Sequence, residues 1–288
     1  MRHALLVVTL AALACGAPED DGARAAGGGP SISSGEARVA LAPTSADQLP
    51  PAIIGQGGEL QGANVQYVPD DPSTVGYLAV PDGPGPFPAL VIIHEWNGLV
   101  DRVRQVADDF AAEGYVTLAV DLFAGRTGSN PQENTALVQS ARSDMPKVIA
   151  NLDAAVAYLK ARPDVSGRVG AMGWCFGGGI ALSFGLDGAE HDATAIFYGA
   201  LVDDPAVLAR MDHEVYGTFA RLDTGPSPEQ VEAFERAARA AGIANDLHIY
   251  DEVNHGFWLR IDEDPAVRTA PALDAWNRLK AYLDRTLG

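Results

Sequence analysis

Cys15 and Cys175 are the only cysteines in 288 residues, so no disulfide framework holds this chain together. Basic residues are also scarce. Twenty Lys and Arg stand against 38 Asp and Glu, a net charge of −18, and they form no cluster. That balance excludes an electrostatic nucleic-acid surface. It describes a solvated acidic exterior that does not draw anions from a distance. Apolar runs are short, and none reaches the roughly 20 residues a transmembrane helix needs. No Cys, His and acid spacing suits a metal site, no cofactor is expected, and no internal repeat occurs.

The N-terminus reads as an export segment. Met1-Arg2-His3 is a short basic stretch, Ala4 to Ala14 is an apolar core, and Ala12-Leu13-Ala14 fits a small-residue cleavage site. Residues 1–14 are therefore expected to be a signal peptide, and the protein to be exported to the periplasm, the cell envelope or the medium. Cys15 follows directly, which adds a lipid on that cysteine as the one membrane anchor, although Leu13 and Ala12 make an imperfect lipid-attachment motif. Residues 15–50, rich in Gly, Ala, Pro, Ser and acids, are expected to form a flexible tether. Residues 51–288 suffice for one domain with a full core.

Along that domain, strands are expected over 64–68 and 75–80 as an edge hairpin, then over 89–93, 115–120, 168–172, 194–198, 214–219 and 246–250. Helical spacing covers 100–113, with Val103, Val106 and Phe110 on one side. One or two helices fill 131–162, interrupted near Met145-Pro146, and others cover 228–241 and 271–287. The continuous apolar run Ala89-Leu90-Val91-Ile92-Ile93 suits a parallel strand covered on both faces. The alternation predicts an α/β fold, a doubly wound, mostly parallel sheet with helices on both faces. Ligands of such sheets bind beyond the carboxyl ends of the strands.

Gly173-Trp174-Cys175-Phe176-Gly177 sits between the 168–172 strand and a helical pattern. Strand, sharp turn and helix, with a thiol at the apex, make the cysteine version of a nucleophile elbow. The new helix turns its unpaired N–H groups and positive end toward the sulfur, which favours a thiolate and a neighbouring oxyanion. Without Cys15, the chain offers Cys175 no second cysteine for a disulfide. A cysteine nucleophile needs a base and a group to orient it. Asp223 and then His255 follow later strands in the order nucleophile, acid, histidine. Asp251 and Glu252 compete with Asp223 for the orienting role. His94 ends a strand beside the site, and His248 lies inside a strand pattern. The loop His94-Glu95-Trp96-Asn97-Gly98-Leu99 is placed to lend a backbone N–H, so Trp96 and Phe176 are the expected oxyanion donors. Trp96, Phe176, Phe257 and Trp258 are candidates for an apolar pocket wall, with Trp174 read as core.

His94-Glu95-x-x-Gly98-Leu99, Asp121-Leu122-Phe123, the Cys175 elbow with Gly178, Asp223 and His255-Gly256-Phe257 together resemble the dienelactone hydrolase family of α/β-hydrolases. The resemblance implies a Cys175–His255–Asp223 triad acting on a small ester or lactone through an acyl-thioester. It also implies that Glu95 contacts the resting cysteine and helps turn it into a thiolate when substrate binds. Whether Glu95 or His255 holds the resting thiol stays open. Family members grip a substrate carboxylate with arginines. Here Leu259 occupies the fourth position after His255, so Arg260, Arg126 and Trp258 are the candidate substrate contacts. A monomer is favoured. The alternative to an enzyme is a non-catalytic ligand-binding module on the same scaffold.

Overall fold

The computed structural model describes residues 49–288. The expected signal peptide, Cys15 and nearly all of the expected tether lie outside the described residues. Within them are the strands β1 (Ala63–Val65), β2 (Gly76–Ala79), β3 (Phe87–Ile93), β4 (Val116–Val120), β5 (Val165–Trp174), β6 (Ala193–Phe197), β7 (Val215–Ala220) and β8 (Asn245–Tyr250). They form one sheet in the order β1-β2-β4-β3-β5-β6-β7-β8. The pairs β1/β2 and β2/β4 are antiparallel, and every later pair is parallel. The helices are α1 (Asp101–Ala112), α2 (Pro131–Arg142), α3 (Met145–Lys160), α4 (Phe176–Asp187), α5 (Pro205–Leu208), α6 (Pro228–Ala240) and α7 (Pro265–Leu287).

Strand alternation sends side chains to two separate cores. Leu90 and Ile92 of β3 meet Val103, Val106 and Phe110 of α1 and Leu279 and Leu283 of α7. Ala89, Val91 and Ile93 turn the other way, toward Leu152 and Val156 of α3 and Ile180 and Phe184 of α4. A third cluster packs Val231 and Phe234 of α6 on Ile196, Val215 and Phe219. Each of these Leu, Ile, Val and Phe side chains stabilises the fold by about 1.5–3 kcal/mol relative to exposure. This double coverage lets β3 be apolar at every position.

Most sequence-based boundaries shift by up to three residues. The first strand ends at Val65 rather than at 68, and the elbow strand starts at Val165 rather than at 168. Two further shifts have a clear local cause. The helix expected from Pro271 starts at Pro265, and Pro271 lies inside it. Both prolines fit a helix start, and Pro265 holds that place, with Thr269 Oγ1 donating to the Pro265 carbonyl at 2.6 Å. The strand expected through Tyr198 ends at Phe197, because Tyr198 turns to φ 40°. Near Met145-Pro146 the chain does break. Pro146 falls in the first turn of α3, and Asp144 Oδ1 caps it by accepting from Lys147 N–H at 3.2 Å.

Residues 49–62 strap across α1. Ala52 N–H donates to Asp109 at 2.8 Å, and Arg102 reaches both the Ile53 carbonyl at 3.0 Å and Asp262 at 2.6 Å. Burial first, aided by the charges of Asp108 and Glu113, pushes the Asp109 carboxyl up to about 6. Its folded value therefore lies above the value near 3.9 of an unstructured chain. The folded state binds the extra proton between those two values, so this group's stabilising contribution is complete below about pH 4. It is lost as pH rises through about 6. Asp109→Asn, whose amide oxygen can still accept from Ala52, is expected to raise stability by about 1 kcal/mol at pH 8 after allowance for solvent screening. Denaturant titrations at about pH 8 and about pH 3.5 check this, and the gain should nearly vanish at the lower pH.

Candidate active site

One residue separates β5 from α4. Cys175 takes φ 55° and ψ −115°, outside the regions open to ordinary side chains. Its N–H donates to the Phe197 carbonyl of β6 at 3.0 Å, and its carbonyl accepts from Gly179 N–H at 3.2 Å. Those two bonds hold the bend. The flanking glycines are required by packing. A Cβ on Gly173 would stand 2.5 Å from the Gly177 carbonyl, and one on Gly177 would strike the carbonyls of Ile93 and His94. These obstacles are backbone and cannot rotate away. Gly177→Ala is thus expected to destabilise the fold by about 3 kcal/mol, read from its denaturation midpoint.

Asp223 and His255 arrive from the loops after β7 and β8. The two loops are joined by Leu222 N–H donating to the Val253 carbonyl at 3.0 Å. His255 Nδ1 lies 2.7 Å from Asp223 Oδ2. The other Asp223 oxygen accepts from Gly225 N–H at 2.8 Å. The Asp223 side chain is 3% exposed and that of His255 33%, so the acid is buried and the imidazole partly exposed. Asp251, the competing acid, pairs with Arg221 at 3.0 Å instead.

Glu95 follows β3 and is buried. Its Oε2 accepts from Arg260 at 3.1 Å. The Glu95 charge, acting first, holds the Arg260 guanidinium more firmly protonated, while burial opposes it. Arg260 thus reaches the site although the position four after His255 is Leu259. Arg126 lies on the other side, lining an open cleft of about 430 Å³ with Leu99, Val100 and Thr127. Trp258 does not line the pocket. It has no exposed surface and stacks on Trp174, ring centres 5.7 Å apart, beside Phe197 at 4.8 Å. Trp174 is core, as expected.

Trp96 sits in the turn after β3, and Phe176 opens α4. Helix geometry leaves the N–H of such a first residue without an intrahelical acceptor. His94 braces both segments. Burial pushes its imidazole down, away from the charged form. As a neutral ring it donates Nδ1–H to the Glu95 carbonyl at 2.7 Å and accepts from Leu122 N–H on Nε2 at 3.2 Å. Its ring packs on Phe123 at 4.6 Å, and Phe123 in turn on Phe176 at 5.5 Å. Asp121 is structural, its carboxylate accepting from Phe123 N–H at 2.9 Å and from Gly125 N–H. His191 and His213 meet at Thr194, at the opposite end of β6. Among the described residues no group of three or more His, Cys, Asp or Glu could hold a metal ion.

A model of the dienelactone hydrolase family matches residues 75–287. The chain belongs to that family. A Methylorubrum extorquens protein named as a carboxymethylenebutenolidase is 31% identical over 220 residues, 72% of this chain and 75% of the relative. A Klebsiella pneumoniae crystal structure named as a dienelactone hydrolase superposes with a TM-score of 0.68 at 22% identity, covering 78% of this chain and 98% of the other. The Pyrococcus horikoshii acylaminoacyl peptidase shares the fold with a TM-score of 0.62 at 13% identity, covering 79% of this chain and 41% of that longer one. This dienelactone hydrolase family member therefore has the α/β-hydrolase fold and is a hydrolase by kinship.

The sequence reading assigned no role to Tyr198. Its ring stands against His255, centres 5.0 Å apart and edge to face. Burial, then the Glu95 charge, pushes its phenol well above the ordinary range, so it stays an intact O–H. The available signal was an aromatic residue ending a core strand just before Gly199, whose hydrogen lies against the α4 backbone at Gly178.

Proposed function

We propose that this protein hydrolyses small esters or lactones with Cys175 as nucleophile, through an acyl-thioester. The observation that carries this reading is the His255–Asp223 pair at 2.7 Å, delivered to the same sheet edge as the Cys175 elbow. The Cys175 thiol gives its proton to a neighbouring base, His255 or Glu95. A free thiol is only a few per cent ionised at neutral pH, so this transfer and the α4 N-terminus supply the reactive form. The thiolate attacks the carbonyl carbon, a C–S bond forms, and the carbonyl oxygen becomes an oxyanion facing the Trp96 and Phe176 N–H groups. Each such donor lowers the barrier by about 2.7–4 kcal/mol. Collapse expels the alkoxide or enolate, which takes up the former thiol proton from the base that received it, the His255 imidazolium or the Glu95 carboxylic acid. In a lactone this opens the ring. His255 then draws a proton from water, the hydroxide adds to the thioester, and the C–S bond breaks to release the acid.

The substrate class follows from Arg260. It is a partly exposed guanidinium whose only buried partner among the described residues is Glu95, and it suits an ester or lactone bearing a carboxylate. The name of the M. extorquens relative denotes such a compound, a butenolide with a carboxymethylene group. The N-terminal pattern supports an exported enzyme, acting on compounds met outside the cytoplasm.

Rapid quenching of the enzyme with p-nitrophenyl acetate or a dienelactone, followed by mass spectrometry of the peptide carrying Cys175, tests the chemistry. An acyl adduct formed and lost during turnover is expected, and turnover with no adduct on that peptide would refute it. Arg260→Gln tests the class. Because Glu95 loses its partner in that variant, the readout is a ratio. The preference for an anionic over a neutral ester, in kcat/KM, should fall about tenfold.

A further inference from the structure

Tyr198 breaks two rules of a well-folded core at once. It holds φ 40°, a region that aromatic residues avoid, and it does so at the end of a central strand. Its hydroxyl is buried; the Leu259 backbone lends its N–H to the oxygen, and among the described residues no group stands in hydrogen-bond geometry to accept its proton. A buried donor without an acceptor destabilises a protein, and native structures keep few of them. Phenylalanine would fill the same space without that penalty. Both irregularities fall at a residue whose ring touches His255 and whose preceding carbonyl, that of Phe197, holds the Cys175 N–H. The charges that bear on the hydroxyl are those of Glu95, Arg260 and Cys175. Glu95 is already matched by Arg260 at 3.1 Å. The remaining group in this set, whose charge changes when its proton leaves, is the Cys175 sulfur.

We infer that the Tyr198 hydroxyl is the side-chain hydrogen-bond donor for the Cys175 thiolate. The inference rests on the reading of Cys175 as nucleophile. When the S–H bond breaks, the proton passes to the neighbouring base and the electron pair stays on sulfur. Tyr198 keeps its own proton and directs it at the sulfur. The α4 N-terminus stabilises that charge from one side and the phenol from another. The φ 40° backbone is what turns the ring from the β6 core toward the catalytic loops. An idle O–H in the resting enzyme is then a preorganised donor that needs no reorientation of water when charge develops.

The test is alkylation of the full-length protein by iodoacetamide from pH 5 to 10, followed on the tryptic peptide that carries Cys175. Wild type is compared with Tyr198→Phe, and thermal midpoints are recorded for both. In wild type the rate should rise with a midpoint well below the value of about 8.5 of an ordinary thiol. In Tyr198→Phe the rate at pH 7 should drop about tenfold, with the plateau at high pH unchanged and the thermal midpoint equal or higher. A purely structural Tyr198 would leave the pH profile where it was, and that result overturns the inference while leaving the nucleophile reading intact. A wild-type profile centred near 8.5 overturns both. A variant that alkylates faster than wild type also overturns the inference, because the phenol would then be shielding the sulfur.

Discussion

Cys175→Ala should lower kcat for aryl and lactone esters by at least about 10⁴-fold while leaving the fold in place. The alanine methyl fits where the CH₂ and sulfur stood, and the elbow is held by backbone bonds from Cys175 N–H to Phe197 and from Gly179 N–H to the Cys175 carbonyl. Neither depends on the side chain. What disappears is the atom proposed to make the covalent bond. Residues of a catalytic unit are strongly non-additive, so removing the nucleophile alone abolishes most of what the unit achieves. A residue of catalysis from the oxyanion donors and binding should remain above the rate in water. Initial-rate kinetics with wild type and variant, alongside matched thermal melts, decide it. A variant that keeps more than about a hundredth of the rate would show that the thiol is not the nucleophile.

Asp223→Asn should produce the second largest loss, about 10³- to 10⁴-fold in turnover. Its two carboxylate oxygens have distinct partners, His255 Nδ1 at 2.7 Å and Gly225 N–H at 2.8 Å. An asparagine will keep its oxygen toward Gly225, since an N–H there would face another N–H. Its NH₂ must then point at His255 Nδ1, which can only accept. The ring proton moves to Nε2, and the imidazole can no longer take a proton from the nucleophile's side. Acylation by a thiolate formed with help from Glu95 would suffer less than hydrolysis of the thioester, which requires His255 to activate water. The acyl adduct should therefore accumulate in this variant. Stopped-flow traces with a full burst and almost no steady-state rate are the expected signature. Equal losses in both phases would instead assign thiolate formation to His255 rather than Glu95.

Much of this arrangement is legible in the primary structure, for identifiable reasons. The elbow announces itself because its glycines are imposed by backbone contacts that no other residue fits. Asp223 and His255 can be placed because strand periodicity locates β7 and β8, and the loops after parallel strands end at one sheet edge. Arg260 was legible only as a candidate, since its reach to Glu95 depends on a loop that no periodicity describes. Trp258 looked like a pocket residue because it neighbours His255, yet that loop turns its indole down among Trp174, Phe197 and Trp276. Tyr198 escaped for the opposite reason. A tyrosine after Ile196-Phe197 reads as one more strand residue, and nothing in residue type reveals a positive φ. The start of α7 was displaced because either of two prolines satisfies the rules for a first turn.

If Arg260 holds the substrate anion as proposed, the strap over α1 bears on catalysis as well as on folding. Arg102 clamps the Ile53 carbonyl and Asp262 together, and Asp262 stands two residues beyond Arg260. Trimming the polypeptide ahead of residue 63 would leave Arg102 with one ligand fewer and slacken the segment that presents Arg260. Engineers shortening this enzyme for convenience would then meet poorer discrimination between charged and uncharged esters together with a lower melting temperature, since Leu49, Ala52 and Ile53 leave the core with the strap.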